Sequence, residues 1–418
     1  IHYVNGQNYH IFGQIMNQMS LKGKRIILGI SASIAAYKSI VLLRLLTKAG
    51  AEVRVVMTKA AQEFVSPLVL STFSHHPVWI EFQEGNVWNN HVELGLWGDV
   101  FLVAPASCNT LSKMANGLCD NVLLATYLSA KCPVIIAPAM DEDMFLHPAT
   151  QRSLVQLRSD GNSVLEVNSG ELASGLVGQG RMIEPEEIVQ FLISTTFRGS
   201  KMAGKRVLIT AGPTQELLDP VRYISNFSTG KMGICLAEEC YLQGADVTVI
   251  AGPLQVSTSI QGIQLVPVQS AAEMEAACLS HLPSADILFM AAAVADYRPA
   301  TRASEKIKKS EDTSTLLLEK TTDILAELGA LKKPHQTLVG FALETEQEEA
   351  NALKKMQRKN TDFIVLNSLK DAGAGFGLDT NQVTLFAADG AQKLVALRSK
   401  QEVAKEIISF VLDHKNTI

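Results

Sequence analysis

The chain of 418 residues lacks the features by which several common classes of protein are assigned. No apolar run reaches the roughly 20 residues of a membrane-spanning helix, so the sequence does not predict a membrane protein. The net charge is −5 and there is no basic tract, which argues against nucleic acid as a partner. The six cysteines form no Cys-x-x-Cys pair and have no histidine at metal-ligand spacing. They indicate buried thiols of a cytoplasmic protein, and they identify no metal ligand.

Two nucleotide-binding fingerprints are missing as well. The pair Gly230-Lys231 is followed by Met232, where a Walker A loop needs Ser or Thr. No Gly-x-Gly-x-x-Gly follows the strand predicted at 206–210, which disfavours a dinucleotide-dependent oxidoreductase. Instead, a loop at 211–233 that is rich in Gly, Pro, Ser and Thr leads from that strand into a helix. This arrangement predicts backbone N–H groups that face a phosphate.

Apolar strands alternate with helical segments throughout the chain, and 47% of the residues are hydrophobic. The alternation predicts an α/β fold with two doubly wound parallel-sheet domains, because 418 residues are too many for one ordinary core. The predicted strands of the first half are 26–30, 53–58, 100–104 and 134–137, and those of the second half are 206–210, 247–251, 287–291, 338–342, 363–367, 383–387 and 393–397.

The boundary between the two domains is predicted near Ser200. Residues 198–204 form a polar joint that contains glycine, and Gly204-Lys205-Arg206-Val207 then echoes Gly23-Lys24-Arg25-Ile26 at the start of the first strand. We therefore expect domains at 19–200 and 201–418, preceded by an extension of unclear status at 1–18. That extension has neither the basic start nor the apolar core of a signal peptide.

Small and polar residues follow the predicted strands of the first half, and parallel strands bring such loops to one edge of a sheet. The segments 29–38, 104–110 and 138–144 resemble the homo-oligomeric flavin-containing cysteine decarboxylases, over roughly residues 24–185. The resemblance implies a flavodoxin-like domain that binds FMN, with His91 as the active-site histidine. The FMN-binding positions that it implies are Gly29, Ser31, Ser33, Ile34, Ala35, Thr58, Ser107, Asn109 and Thr110.

Two further candidate catalytic residues depart from that family's pattern. Asp141 stands where the family carries Asn in a Pro-x-Met-Asn motif, and an ionised carboxylate accepts hydrogen bonds but does not donate them. Asp141 then needs to stay protonated at neutral pH or to take a different partner to serve the same role, or it instead helps to orient His91 or another donor. Ser174 aligns with the proton-donating Cys of the family's substrate clamp, and a hydroxyl is a far weaker acid than a thiol. The source of the last proton in the decarboxylase reaction therefore stays open.

The second half carries groups suited to activating a carboxylate with a triphosphate. Arg222 can hold a phosphate or carboxylate through two parallel hydrogen bonds, and Asn226 offers an amide donor to an oxyanion. Asp296 follows a strand, where it could receive a base amine or a metal. Lys306 could neutralise charge on a transferring phosphate, although a lysine run alone is typical of a solvated loop.

These segments closely resemble the bacterial phosphopantothenate–cysteine ligases, over about residues 204–397. The resemblance rests on the blocks 211–233, 291–297 and 305–309 and on Gly340-Phe341. It implies a Rossmann-like ligase domain in which Asn226 and Lys306 act on the acyl-nucleotide step. The CTP-binding positions that it implies are Asp296, Lys306, Asp323, Ile324, Phe341, Lys355 and Lys359. Thr321 and Thr322 replace the family's frequent Asn-Pro, and their role is left open.

In this order the two matches resemble the bifunctional enzymes of coenzyme A biosynthesis. The resemblance implies CTP-dependent ligation of 4'-phosphopantothenate with cysteine in the presence of Mg²⁺, followed by FMN-dependent decarboxylation. It also implies a homo-oligomer with trimeric flavin-domain contacts and dimeric ligase contacts. Alternatives stay open: a flavin prenyltransferase, a peptide-cysteine decarboxylase or a degenerate flavodoxin-like scaffold in the first half, and ATP in place of CTP in the second.

Overall fold

The computed structural model describes residues 21–172, 174–175, 177–258, 260–308, 315–344, 347–368 and 378–415. The chain forms two compact units, which divide between Phe197 and Arg198. Each unit has its own main sheet, and the predicted fold class, α/β with two doubly wound sheets, is confirmed. The predicted extension at residues 1–18 lies outside the described residues.

The first unit alternates short strands with helices. Its strands are β1 (Arg25–Ile30), β2 (Glu52–Met57), β3 (Gln83–Glu84), β4 (Val87–Trp88), β5 (Val100–Ala106), β6 (Val134–Pro138), β7 (Ser163–Val164), β8 (Asn168–Glu171) and β9 (Val177–Arg181). Its α-helices are α1 (Tyr37–Lys48), α2 (Pro67–Ser74), α3 (His91–Trp97), α4 (Cys108–Ala115), α5 (Val122–Ser129), α6 (Glu142–Leu146), α7 (Pro148–Ser159) and α8 (Pro185–Phe191). Turns of 3₁₀ helix lie at Ile34–Ala36 and Lys59–Glu63, and a π-helical turn follows α8 at Leu192–Thr196.

Five parallel strands in the order β2-β1-β5-β6-β7 form the main sheet of the first unit. Side chains of β1 enter two separate cores, with Ile26, Leu28 and Ile30 in one and Ile27 in the other. Both faces of the sheet are covered, which explains why its strands are apolar without alternation. The carboxyl ends of β2, β1, β5 and β6 lie side by side, so the loops that follow them share one edge, as predicted.

The second unit has a larger sheet and two hairpins. Its strands are β10 (Arg206–Ala211), β11 (Gln215–Leu217), β12 (Tyr223–Ser225), β13 (Asp246–Ala251), β14 (Gln264–Pro267), β15 (Ile287–Met290), β16 (Tyr297–Pro299), β17 (Leu318–Lys320), β18 (Thr337–Glu344), β19 (Phe363–Ser368), β20 (Thr380–Ala387) and β21 (Gln392–Ser399). Its α-helices are α9 (Lys231–Leu242), α10 (Ala271–His281), α11 (Ile324–Leu331), α12 (Glu348–Arg358) and α13 (Lys400–His414), and a 3₁₀ turn lies at Leu282–Ser284.

The main sheet of the second unit has the order β14-β13-β10-β15-β18-β19-β20-β21. The first six strands are parallel, whereas β20 and β21 run antiparallel to their neighbours. The edge strand β14 is largely exposed and too weakly apolar to be predicted from the sequence. The hairpins β11–β12 and β16–β17 lie outside the main sheet.

An aspartate in each unit caps the first strand of the main sheet. Asp99 Oδ2 accepts a hydrogen bond from the N–H of Arg25 at 2.8 Å, and Asp286 Oδ2 accepts one from the N–H of Arg206 at 2.8 Å. Burial raises the pKa of Asp99, but the hydrogen bonds from Arg25 outweigh it and the net pKa is lowered. The repeated Gly-Lys-Arg sequence therefore marks the same structural position in both units.

Candidate active sites

A cavity of about 470 Å³ opens beside the carboxyl ends of β15 and β18 in the second unit. Most of the predicted CTP-binding residues line it: Asp296, Asp323, Ile324, Phe341, Lys355 and Lys359. Lys306 is not among the lining residues, and its side chain is exposed on the segment that leads into Ile307.

Asp323 links two helices at this cavity. As the N-cap of α11, its Oδ1 accepts a hydrogen bond from the N–H of Ala326 at 3.1 Å, and its Oδ2 lies 2.8 Å from Nζ of Lys359. Burial raises the pKa of Asp323, but the hydrogen bonds from Lys359 and from the Ala326 amide outweigh it, so the net pKa is lowered. The carboxylate is therefore ionised at neutral pH and holds the Lys359 ammonium at the cavity wall.

Lys355 provides a second cation on the same wall. Its Nζ donates a hydrogen bond to the carbonyl of Phe341 at 3.0 Å. Burial, and next the neighbouring charge of Lys359, lower the pKa of Lys355 in spite of the carboxylates around it. Two ammonium groups on one cavity wall can donate charge-assisted hydrogen bonds to phosphate oxygens.

Two threonine side chains fix the peptide that leads into Asp296. The N–H of Ala295 donates to Oγ1 of the fully buried Thr214 at 3.0 Å, and the carbonyl of Ala295 accepts from Oγ1 of Thr321 at 2.6 Å. The N–H of Thr321 also donates to the Asp296 carbonyl at 3.0 Å. Sequence reasoning assigned this role to neither threonine, because nothing in a short polar loop identifies a partner that is distant along the chain.

Asn226 follows β12 and lies at the margin of the cavity. Its Nδ2 donates to the carbonyls of Ala293 at 3.0 Å and of Val294 at 3.2 Å, and Val294 lines the cavity. With the amide nitrogen engaged twice, Oδ1 is the atom that Asn226 offers to a ligand. The side chain thus presents an acceptor, and the oxyanion-donor role expected from the sequence does not fit this arrangement.

Arg222 is likewise engaged within the protein. Its Nε donates to Oδ2 of the buried Asp219 at 2.9 Å, and its Nη2 donates to the carbonyl of Ile307 at 3.0 Å. The expected clamp on phosphate or carboxylate uses two parallel N–H groups on one edge of the guanidinium. The edge formed by Nε and Nη2 already has protein partners here.

Residues 211–233, where the sequence predicts a phosphate-binding loop, are not among those that line this cavity. Leu254 fills the space beside two of its glycines, since a Cβ at Gly230 would lie 2.2 Å from Leu254 Cδ2 and one at Gly212 would lie 3.0 Å from it. Both glycines have positive φ, +82° and +81° respectively, so they serve a tight turn. Lys231 forms an ion pair with Asp379.

In the first unit, hydrogen bonds join the loops at the carboxyl edge of the sheet. The hydroxyl of the fully buried Ser31 donates to the carbonyl of Pro105 at 2.8 Å and accepts from the N–H of Ser107 at 2.8 Å. Ser31 therefore holds two loops together. Gly29 is explained by packing, because a Cβ there would lie 2.9 Å from the ring of Phe101.

Other predicted FMN-binding residues place polar side chains at this edge of the sheet. Oγ1 of Thr58 is buried and has no hydrogen-bond partner among the described residues. Such an orphan costs about 1–3 kcal/mol unless a ligand satisfies it. Ser107 caps α4 and its Oγ lies 3.2 Å from Oγ1 of Thr110, while Asn109 is exposed in the first turn. These hydroxyl and amide groups fit a flavin nucleotide.

A cavity of about 560 Å³ joins the predicted FMN loop to the predicted substrate loops. Its walls include Ser33, Ile34, Ala35, Lys38, Asp141 and Arg181. Oδ1 of Asp141 accepts from the N–H of Glu142 at 3.0 Å, and β9 lies directly against this loop, since a Cβ at Gly180 would lie 2.3 Å from the Met140 carbonyl oxygen.

The other two predicted catalytic residues of the first unit do not line that cavity. His91 begins α3, and its ring meets those of Phe82 and Trp88 edge-on, with centroid distances of 5.9 and 5.8 Å. Its Nδ1 is buried without a hydrogen-bond partner in the described part of the chain. Ser174 is exposed in the connection between β8 and β9.

Comparison with known proteins decides the family. The family model described as Flavoprotein matches residues 15–197, and that of the DNA/pantothenate metabolism flavoprotein C-terminal domain matches residues 202–414. The coenzyme A biosynthesis bifunctional protein CoaBC of Bacillus subtilis (strain 168) is 45% identical over 393 residues, which cover 93% of this chain and 96% of that protein. The chain belongs to the CoaBC family. As a CoaBC protein it is a bifunctional enzyme, and the predicted classes, a flavoprotein decarboxylase joined to a ligase, are confirmed.

Two further relatives were found. A cysteine/cysteine sulfinic acid decarboxylase from an unknown prokaryotic organism is 52% identical to this CoaBC chain over 355 residues, covering 83% of this chain and 99% of that protein. A crystal structure of the C-terminal domain of a CoaBC protein is 37% identical and covers 53% of this chain and 100% of that chain, with a TM-score of 0.45. Within the described ranges, no helix is long and apolar enough to cross a membrane.

Proposed function

We propose that the second unit joins 4'-phosphopantothenate to cysteine with CTP, and that the first unit decarboxylates the resulting phosphopantothenoylcysteine. The observation that carries the ligase part is the cavity that Lys355, Lys359 and Asp296 line together. The cations suit a triphosphate, and the carboxylate suits the exocyclic amine of the base. The functional domains are proposed as 19–200 and 201–418, close to the division of the units after Phe197.

The ligase reaction has two steps. The carboxylate of phosphopantothenate attacks the α-phosphorus of CTP, so that an acyl-cytidylate forms and pyrophosphate leaves. Lys306 and Lys355 offset the charge that develops on the phosphate oxygens. The cysteine amine then attacks the acyl carbon, CMP leaves with the electron pair of the broken C–O bond, and the amine proton passes to solvent. Oδ1 of Asn226 accepts a hydrogen bond from that amine and orients it.

Mg²⁺ is proposed to arrive with the triphosphate. Across the residues that the structure describes, no group of three or more His, Cys, Asp or Glu side chains could hold a metal by itself. Magnesium in nucleotide enzymes is commonly held by one or two carboxylates together with substrate phosphates. Asp296, exposed at the cavity, is available to the metal or to the base amine.

In the first unit, Thr58, Ser107, Asn109 and Thr110 are proposed to hold FMN at the carboxyl edge of the sheet. The support is the Thr58 hydroxyl, which has no partner among the described residues, together with the polar start of α4 at the same edge of the sheet. When bound, FMN supplies the oxidation of the cysteinyl side chain that makes loss of CO₂ facile, and it returns the electrons afterwards. Ser174 is the residue that we propose to face the substrate and to deliver the last proton slowly.

The protein is further proposed to be a cytoplasmic homo-oligomer. Exposed apolar side chains near the FMN loop support a subunit contact there, among them Ile34, Tyr37 and Leu68 with exposed fractions of 61%, 57% and 74%. Light scattering on the full chain measures the oligomeric state, and a monomer at micromolar concentration would contradict this part of the proposal.

The test is an assay of the full chain with phosphopantothenate, cysteine, Mg²⁺ and either CTP or ATP. Pyrophosphate and CO₂ are followed separately. We expect pyrophosphate release that requires phosphopantothenate and prefers CTP, followed by CO₂ from a yellow protein. Pyrophosphate release without CO₂ would support the ligase assignment and contradict the decarboxylase assignment. If no pyrophosphate is released with either nucleotide, the ligase assignment is wrong.

A second candidate for the first unit is decarboxylation of free cysteine or cysteine sulfinic acid. The 52% identical relative bears that name, and Asp141 gives the observation in this chain that favours it. Free cysteine has an α-ammonium group, which a carboxylate in the cavity wall can bind. In phosphopantothenoylcysteine the same nitrogen is an amide and carries no charge.

Substitution at Asp141 separates the two candidates. If the free amino acid is the substrate, Asp141→Asn should lower kcat/KM for cysteine about tenfold or more, which corresponds to about 1.4 kcal/mol. The same variant should retain or gain activity with phosphopantothenoylcysteine, because the amide restores a donor. Asp143→Asn, two residues along and not lining the cavity, is the matched control.

A further inference from the structure

A buried carboxylate holds the segment that carries Lys306. Asp219 is completely shielded from solvent in the turn between β11 and β12. Its Oδ1 accepts hydrogen bonds from the N–H groups of Val221 and Arg222, both at 2.8 Å. Its Oδ2 accepts from Nε of Arg222 at 2.9 Å and from the N–H of Ile307, 88 residues along the chain, at 3.2 Å.

Arg222 completes the attachment. Its Nη2 donates to the carbonyl of Ile307 at 3.0 Å, so one ion pair binds both backbone polar groups of Ile307. A separate hydrogen bond, from the N–H of Ala303 to the carbonyl of Leu218 at 2.9 Å, joins the same two segments. The hydrogen bonds from Arg222, joined by those of the backbone amides, keep the pKa of Asp219 far below its ordinary value in spite of burial, so the carboxylate stays charged.

This attachment fixes the spacing of two proposed functional residues. Lys306 immediately precedes Ile307, and Arg222 immediately precedes β12, which leads to Asn226. Lys306 is exposed and lies outside regular secondary structure, where a long side chain has much rotamer freedom to lose. Tethering the adjacent peptide removes the backbone part of that freedom.

We propose that Asp219 is a positioning residue of the ligase, which acts through Arg222 and the Ile307 backbone to place Lys306 for nucleotidyl transfer. The inference rests on the proposed ligase function. Asp219 is fully buried and therefore does not contact the substrate itself. It also gives Arg222 a role different from the clamp on a ligand that the sequence suggests.

The first test compares Asp219→Asn with wild type in the full chain. The amide oxygen still accepts from the two turn N–H groups, but its NH₂ group faces the donors of Arg222 and Ile307. We expect kcat for pyrophosphate release to fall ~100-fold, the loss that a misplacement of about 1 Å produces. KM for CTP should change by less than about threefold, because the residues that line the nucleotide cavity do not include Asp219.

Two controls accompany that comparison. Decarboxylation of supplied phosphopantothenoylcysteine by the same polypeptide reports whether the first unit remains intact. Asp246→Asn, at an exposed aspartate that begins β13, should leave the ligase at its wild-type rate. Hydrogen exchange gives a structural readout, since the Ile307 amide should exchange faster in Asp219→Asn while the amides of β10 stay protected.

A double-mutant cycle tests whether Asp219 acts through Lys306. In a Lys306→Met background, measured by single-turnover pyrophosphate release, Asp219→Asn should have little further effect. The inference would be overturned if Asp219→Asn lowered the rate of pyrophosphate release by the same factor in both backgrounds, or if its kcat equalled that of wild type. Either result would leave the ligase function intact. A wild-type protein that releases no pyrophosphate would instead remove the ligase function itself. If Asp219→Asn does not fold, Arg222→Lys is the deciding variant, because one ammonium cannot bridge both Asp219 and the Ile307 carbonyl. An unchanged kcat in Arg222→Lys would overturn the inference.

Discussion

Nζ of Lys359 lies 2.8 Å from Oδ2 of Asp323, and this ion pair ties the C-terminal end of α12 to the N-terminus of α11 at the nucleotide cavity. The pair lowers the pKa of the carboxyl against the effect of burial. It also holds one of the two lysines that are proposed to face the triphosphate.

Loss of this ammonium should weaken nucleotide binding. In Lys359→Met we expect KM for CTP to rise about tenfold, the factor that 1.4 kcal/mol gives, because a charge-assisted contact to phosphate is removed. Steady-state pyrophosphate release measures it. Lys354→Met, at an exposed lysine on the same helix, is the matched control. Equal KM values in the two variants would argue that Lys359 serves only the helix contact.

The lowered pKa of Lys355 predicts a pH dependence. Burial makes this ammonium lose its proton at lower pH than an ordinary lysine, whose pKa is 10.5. KM for CTP should therefore rise in alkaline buffer below pH 10.5, and Lys355→Arg should abolish that rise because a guanidinium keeps its charge. Between the two pKa values the unfolded chain binds more protons at this site, so its contribution to folding stability increases with pH. A wild-type KM that is flat to pH 10 would contradict the assignment of Lys355 to phosphate.

The clamp on the Ala295 peptide predicts a difference between adjacent threonines. Thr321→Val removes the 2.6 Å hydrogen bond to the Ala295 carbonyl, whereas the exposed Thr322 has no such bond to that carbonyl. We expect KM for CTP to rise about fivefold in Thr321→Val, in line with about 1 kcal/mol for one hydrogen bond. Thr322→Val should stay within a factor of two of wild type. The reverse order of effects would show that Asp296 is positioned by other contacts.

The Thr58 hydroxyl, which has no hydrogen-bond partner in the described ranges, predicts weaker flavin binding when it is removed. Thr58→Val replaces the orphaned Oγ1 with a methyl group of similar size. Since one hydrogen bond contributes about 1 kcal/mol, the Kd for FMN should rise about fivefold. Titration of the apoprotein by flavin fluorescence measures this value. Thr72→Val, in which the hydroxyl bonds its own helix, is the control, and an unchanged Kd in Thr58→Val would separate Thr58 from the flavin.

The hydroxyl at position 174 predicts a slow last step in the decarboxylase. A thiol is a much better proton donor, and a positioned general acid contributes roughly 10²–10⁴-fold to a proton transfer. Ser174→Cys should therefore raise the yield of the fully reduced product from phosphopantothenoylcysteine, with little change in the rate of CO₂ release. Mass spectrometry of the products reports the ratio of reduced to oxidised species. A ratio that does not change in Ser174→Cys would place the donor elsewhere.

Sequence alone determined the strands of both main sheets that are long and apolar. Strands such as those at 26–30 and 287–290 are buried on both faces. A strand buried in this way has a continuous run of β-branched and apolar residues, which can be recognised in the sequence. The parallel order that follows places polar loops on one edge, which is why the loop of Asp296 could be expected there before any coordinates, whereas Asp323 was named only by resemblance.

Only the tertiary structure decided which atoms those polar residues offer to a ligand. Arg222 and Asn226 were chosen as ligand-binding groups from their chemistry, yet their donors are used by Asp219, Ile307, Ala293 and Val294. The sequence of the 211–233 loop also did not show that Leu254 packs beside Gly212 and Gly230. The physical reason is that folding decides which protein group each donor or acceptor bonds, and an atom bonded in this way is not free for a ligand. Asp219 is close to Arg222 in the sequence, but Ile307 and Ala293 lie tens of residues from the side chains that bond them, where no local pattern records the contact.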